Sequence, residues 1–169
     1  MIRFVLPLLL AAAPALADCT DPAVLDVSGG FGTARFRVEV ADDPEERARG
    51  LMFREVLGTR EGMLFVYESE KPGIAFWMRN TLIPLDMIFA DAAGRIVSVH
   101  ANAVPLDETP VPAGAPAQFV LEIPGGRAAV LGIEAGDVLR HPAIAGACGG
   151  PASGAGAGAV TGAETPAAD

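Results

Sequence analysis

Between Ala75 and Phe89 the chain reads AFWMRNTLIPLDMIF, which gathers its only tryptophan with several polar side chains. Trp77, Arg79, Asn80, Thr81 and Asp86 surround a break at Pro84. Polar groups converging on an aromatic at a strand end are the usual material of a ligand pocket. The same residues have a structural reading. Asn80 and Thr81 can satisfy backbone groups of a turn, Asp86 can accept from nearby amide N–H groups, and Trp77 can be core. Spacing alone leaves both readings open.

Glu122 sits inside the apolar run AQFVLEI. Facing inward, it needs a partner, because burying an unpaired carboxylate is costly. Arg54 or Arg79 would serve, in a structural salt bridge. Arg47, Arg54, Glu55 and Glu61, around RARGLMFRE, read as surface ion pairs. Asp86 with Glu122 or Glu55 is the one set capable of general acid/base chemistry, such as glycan hydrolysis. His100 and His141 lack metal-ligand spacing, so neither a metal site nor a cofactor is expected. No serine (Ser28, Ser69, Ser98, Ser153) lies in a G-x-S-x-G elbow, and no phosphate-binding glycine loop occurs.

The elements that must position these groups follow from periodicity. Thr33–Ala41 alternates, with Phe36, Val38 and Val40 on one face, which predicts a half-buried strand. A short helix follows: Asp43 suits the N-cap, Pro44 the first helical position, and Glu46 completes a capping box. Gly62–Glu68 and Gly73–Asn80 read as strands. Leu85–Ala90 and Arg95–His100 flank the turn Asp91–Gly94 and form the clearest hairpin. A proline-rich loop covers Ala101–Pro116, and Ala117–Ile123 is a further strand. A brief helix near Arg127–Leu131 and a last strand around Val138–Arg140 complete the pattern. The expected fold is α+β and mainly β: a small, barrel-like sheet of short strands with one or two short helices.

The 169 residues divide into three parts. Residues 1–17 have the form of a secretory signal: Arg3, an apolar run from Phe4 to Ala13, and Ala15-Leu16-Ala17 as cleavage site. The mature chain would start at Asp18, in the periplasm or outside the cell, without a membrane span. Residues 18–148 form the expected globular domain, and the Gly/Ala-rich stretch 149–169 reads as a disordered tail. The formal charge is −9, and loss of Arg3, the leader's one charged residue, makes it −10. Such acidity argues against nucleic-acid binding. Cys19 and Cys148 are the only cysteines, and in an oxidising compartment they are expected to pair.

The segments PEERARGLMFRE, GMLFVYE, FWMRNTLIPLDMIFAD, GRIVSVHANAVP, FVLEIPGG and LGIEAGD occur in an order and spacing that closely resembles the Domain of Unknown Function 192 family. The resemblance spans about Ala34 to Leu139. It implies a mainly β domain with a short helix after the first strand, and it lends no activity. Its signature positions fall here on Arg47, Gly50, Leu51, Met52, Arg54, Gly62, Met63, Trp77, Met78, Asn80, Thr81, Pro84, Leu85, Asp86 and Glu122. Gly50, Leu51, Gly62, Met63 and Leu85 read as fold requirements, and Trp77, Asn80, Thr81 and Asp86 as lining a site.

Three functions remain open at this level. The leading one is a non-catalytic or accessory domain that binds a small-molecule or envelope ligand near Trp77–Asp86. The second is a carboxylate-dependent hydrolase using Asp86, and the third a structural or protein-interaction module.

Overall fold

In the computed structural model, described over residues 19–148, alternating sequence becomes a curled sheet with apolar packing on both faces. The expected signal sequence and C-terminal tail lie outside the described residues. In chain order the elements are β1 (Val24–Gly29), β2 (Gly32–Ala41), α1 (Pro44–Arg49), β3 (Glu61–Lys71), β4 (Ala75–Phe76), β5 (Leu85–Ala90), β6 (Ile96–Ala103), β7 (Val111–Pro112), β8 (Ala117–Pro124), α2 (Arg127–Leu131) and β9 (Val138–Arg140). Seven strands form one sheet in the order β6-β5-β8-β3-β2-β1-β9, and β4 pairs with β7 apart from it. An isolated bridge between Arg95 and Val138 brings the two ends of the large sheet together. The sheet is thus a partly closed barrel. The expectation of a small, mainly β, α+β fold is met.

The alternation of side chains assigns each strand's residues to one of two cores. Leu64 of β3, Ile88 of β5 and Leu121 of β8 pack inside the curl with Phe36, Val38, Leu25 and Val27. Their neighbours Phe65, Phe89 and Val120 face the other way, into a second core with Ile74, Met78 and Ala113. The segments around β4 and β7 cover that outer face. This explains why β5 is buried at every residue. Two apolar layers enclose it.

The predicted helix starts as its cap chemistry requires: the Asp43 side chain accepts from Glu46 N at 2.7 Å. Glu46 reaches back to Asp42 N, one residue before the N-cap. The Leu85–Ala90/Arg95–His100 hairpin appears as antiparallel β5–β6. Three readings change, the first being that the expected loop Ala101–Pro116 holds the end of β6, to Ala103, and the short β7. The strand β1 was not expected, yet Leu25 and Val27 alternate with Asp26 and Ser28, and it pairs with β2 through the turn at Gly29–Gly32. The expected strand Gly73–Asn80 is strand only at Ala75–Phe76. Beyond that point Met78 N donates to Asp107 O, Asn80 adopts φ +54°, and Thr81 N donates to Met78 O, so the chain turns instead of extending.

Cys19 and Cys148 are joined by a disulfide, with Cα atoms 5.4 Å apart, in the range such bonds require. The expected clasp between the two edges of the domain is present.

Candidate functional site

Glu122 belongs to β8, paired with Met63 of β3 on one side and Met87 of β5 on the other. Its side chain points to the outer face, where Phe65 and Tyr67 of β3 also project. Gly62 makes this packing possible. A Cβ there would lie 2.5 Å from the Glu122 carbonyl oxygen, so any larger residue would push β8 away.

Above Glu122 lies a cavity of about 200 Å³. Arg47 to Met52, from the end of α1 and the turn after it, form one wall. Phe65 and Tyr67 form another, and Ala75, Phe76, Trp77 and Thr81 close the third side. The turn after α1 runs close to β3: Gly50 has φ +49°, and a Cβ on it would sit 3.1 Å from the Phe65 ring. Phe76 stands edge-on to Phe65, ring centroids 4.8 Å apart, and to Phe89 at 5.8 Å. Arg47 is fixed by donating to Val66 O at 2.9 Å and to Asp42 O. Its guanidinium lies 5.1 Å from the Tyr67 ring centroid, within cation–π reach.

Glu122 is 4 % exposed, and among the described residues no hydrogen bond or ion pair engages its carboxyl. Burial alone pushes its pKa up, to about 8, so at neutral pH it holds its proton. The Tyr67 hydroxyl is also raised: burial is the main cause, the Arg47 charge opposes it, and the Glu122 carboxylate adds to it. Glu122 and Tyr67 are therefore electrostatic neighbours in one pocket.

The residues expected at a site separate. Trp77, Thr81 and Glu122 line the cavity. Trp77 is 45 % exposed, and Arg79 lies 5.5 Å from its ring on the surface. Thr81 is buried and donates from its hydroxyl to Arg79 O. Asn80 stands beside the cavity, its amide nitrogen 3.8 Å from the Met52 sulfur. Arg54 pairs with Glu39 and lines a different depression, so neither Arg54 nor Arg79 is the partner expected for Glu122.

Asp86 is elsewhere. It pairs with Ile123 across the β5–β8 ladder, one step from the Met87–Glu122 pair, so its side chain enters the opposite face from that of Glu122. There it accepts from Asn102 N at 2.7 Å, Gly126 N at 2.7 Å and Ala128 N at 2.6 Å. Gly126 is the N-cap of α2 and brings no side chain, so Asp86 supplies the cap from a neighbouring strand. The alternative in which Asp86 accepts from amide N–H groups is the one realised. A hydrolytic pair of Asp86 and Glu122 is ruled out by this geometry, since the two carboxyls of a glycosidase must flank one bond.

Arg47, Tyr67, Phe65 and Phe76 are pocket residues that the sequence reading did not single out as such. A signal for two of them exists: Met63, Phe65 and Tyr67 alternate on the strand beside Glu122.

The family model for Domain of Unknown Function 192, described as an uncharacterized ACR, matches residues 25–141. The chain belongs to this family. A solved structure of a protein of unknown function from Novosphingobium aromaticivorans is 48 % identical, with a TM-score of 0.67, covering 76 % of this chain and 93 % of that one. One from Sinorhizobium meliloti, provisionally assigned as a transcription regulator, is 35 % identical with a TM-score of 0.69, covering 72 % and 94 %. No curated protein matches the chain.

Proposed function

We propose that this is an exported, non-catalytic small-ligand-binding domain whose pocket is built on Glu122, Tyr67, Trp77, Thr81 and Arg47. The observation that carries the reading is Glu122: a buried carboxyl with no protein partner, facing an aromatic-lined cavity. A carboxyl that lines a cavity and takes no protein partner is a group that a ligand can engage. The binding region foreseen near Trp77–Asp86 thereby moves toward β3 and β8 and leaves Asp86 behind.

Export rests on the form of residues 1–17, with the mature protein starting at Asp18 in the periplasm or outside. The Cys19–Cys148 bond supports an oxidising compartment. Cell fractionation with intact-mass analysis should give a periplasmic or secreted species that begins at Asp18; a full-length cytoplasmic species contradicts the export reading. A nucleic-acid-binding role finds no support in a chain of charge −9.

Binding is tested by incubating the mature protein with the low-molecular-mass fraction of a periplasmic extract, desalting, and identifying retained compounds by mass spectrometry. The expected result is a compound held by the wild type and lost from Trp77→Ala and Glu122→Gln. Retention of nothing, or equal retention by all three proteins, contradicts the pocket.

One observation favours a second reading. A carboxylic acid kept protonated near neutral pH by burial is also the setting of a general acid. Catalytic turnover of a retained compound, abolished in Glu122→Gln, would establish that role.

A further inference from the structure

Resting on the ligand-binding reading above, we infer that the occupant is a small organic ammonium ion. Its charged nitrogen lies against the Glu122 carboxylate, and its carbon skeleton against Phe65, Tyr67, Phe76 and Trp77. Four aromatic rings around one acidic group is a lining suited to a cation, which is attracted both by ring faces and by the carboxylate. Among the described residues no cationic side chain pairs with the Glu122 carboxyl, and an ammonium ligand would supply that partner. Arg47 does not provide it: its Nη1 donates to two backbone carbonyls and its guanidinium sits over Tyr67. Burial is the cause that raises the Glu122 pKa. The net charge of −9 further favours the approach of cations. A cavity of about 200 Å³ sets the size to a small amine, of the bulk of one aromatic ring and a short chain.

Binding is coupled to one proton. The free site holds Glu122 as the acid; the ammonium ion displaces that proton to solvent and pairs with the carboxylate left behind, and no other bond changes. The groups around the carboxyl that bear on this step are Tyr67 and Lys71 from β3, the Lys71 ammonium 5.7 Å from the Tyr67 ring, and Arg47 and Arg49 from α1, while Trp77, Thr81 and Met87 carry no charge. Tyr67, pushed above its ordinary value of 10, stays neutral through the range in which Glu122 ionises.

The test is calorimetry on the mature, disulfide-bonded protein with three matched probes: phenethylamine, phenethyl alcohol and phenylacetate. Titrations at pH 7 in phosphate and in MOPS, which differ in ionisation enthalpy, count the protons released. Phenethylamine is expected to bind at least about tenfold more tightly than the alcohol and to release a substantial fraction of one proton. Glu122→Gln is expected to erase that preference while still binding the alcohol. The proton count in wild type needs no variant, so it decides the matter even if Glu122→Gln folds poorly. Equal or tighter binding of the alcohol or of phenylacetate overturns the ammonium inference and leaves the pocket standing. Binding of no probe up to about 10 mM also overturns it, and the extract experiment then judges the pocket on its own.

Discussion

Asp86 and Glu122 are two buried acids on adjacent strands, one register step apart, and they live by opposite rules. Asp86 faces the inner core and accepts three backbone N–H groups. Glu122 faces the outer layer, finds no donor among the described residues, and keeps its proton to about pH 8. The strand sequences around them are similarly apolar. What separates them is which face they enter and whether a helix N-terminus waits there. A buried carboxylate that the backbone fully satisfies is part of the fold, while one left unsatisfied in a cavity is poised for an occupant.

The comparison breaks most visibly at Asp86. Asp86→Ala strands three buried N–H groups and uncaps α2, and should cost about 3–5 kcal/mol in urea unfolding. A loss below about 1 kcal/mol would mean that Asp86 is not structural.

Glu122→Gln should act with the opposite sign. The raised folded-state pKa means that below about pH 4.5 both folded and unfolded states hold the proton and no penalty exists. Between about 4.5 and 8 the unfolded chain ionises first, so wild-type stability falls as pH rises. Gln removes that loss. The variant should match wild type near pH 4 and exceed it by up to about 4 kcal/mol at pH 9 in denaturant titrations. Equal stability at both pH values contradicts the account.

Arg54→Ala sharpens the contrast from the other side. Its ion pair with Glu39 is partly solvent-exposed, so the loss should stay under about 1 kcal/mol and shrink further in high salt. It should leave probe binding at the Glu122 cavity unchanged by calorimetry.

Much of the fold was legible before the structure. The alternation of Phe36, Val38 and Val40, the Asp43–Glu46 cap and the Asp91–Gly94 turn are local signals that the fold obeys. β1 was equally local and went unread, because Leu25 and Val27 are only two apolar positions before a glycine turn. The overlong strand after Gly73 came from alternation that ends in space where Met78 meets Asp107. The site was half legible. Trp77, Thr81 and Glu122 do share a cavity, but the donors that claim Asp86 lie 16, 40 and 42 residues along the chain. Spacing cannot reveal such partners. The same holds for Arg47 and Tyr67, which come to line the Glu122 cavity through a parallel β2–β3 pairing and an antiparallel β3–β8 pairing.

The most direct test of the difference between the two acids is to watch Glu122 titrate. With carboxyl-carbon NMR on protein labelled at glutamate, and Glu122→Gln to assign the signal, its midpoint should fall near pH 8. A midpoint in the ordinary glutamate range near 4.5 would show a carboxylate already satisfied by the protein, and the central claim would fail.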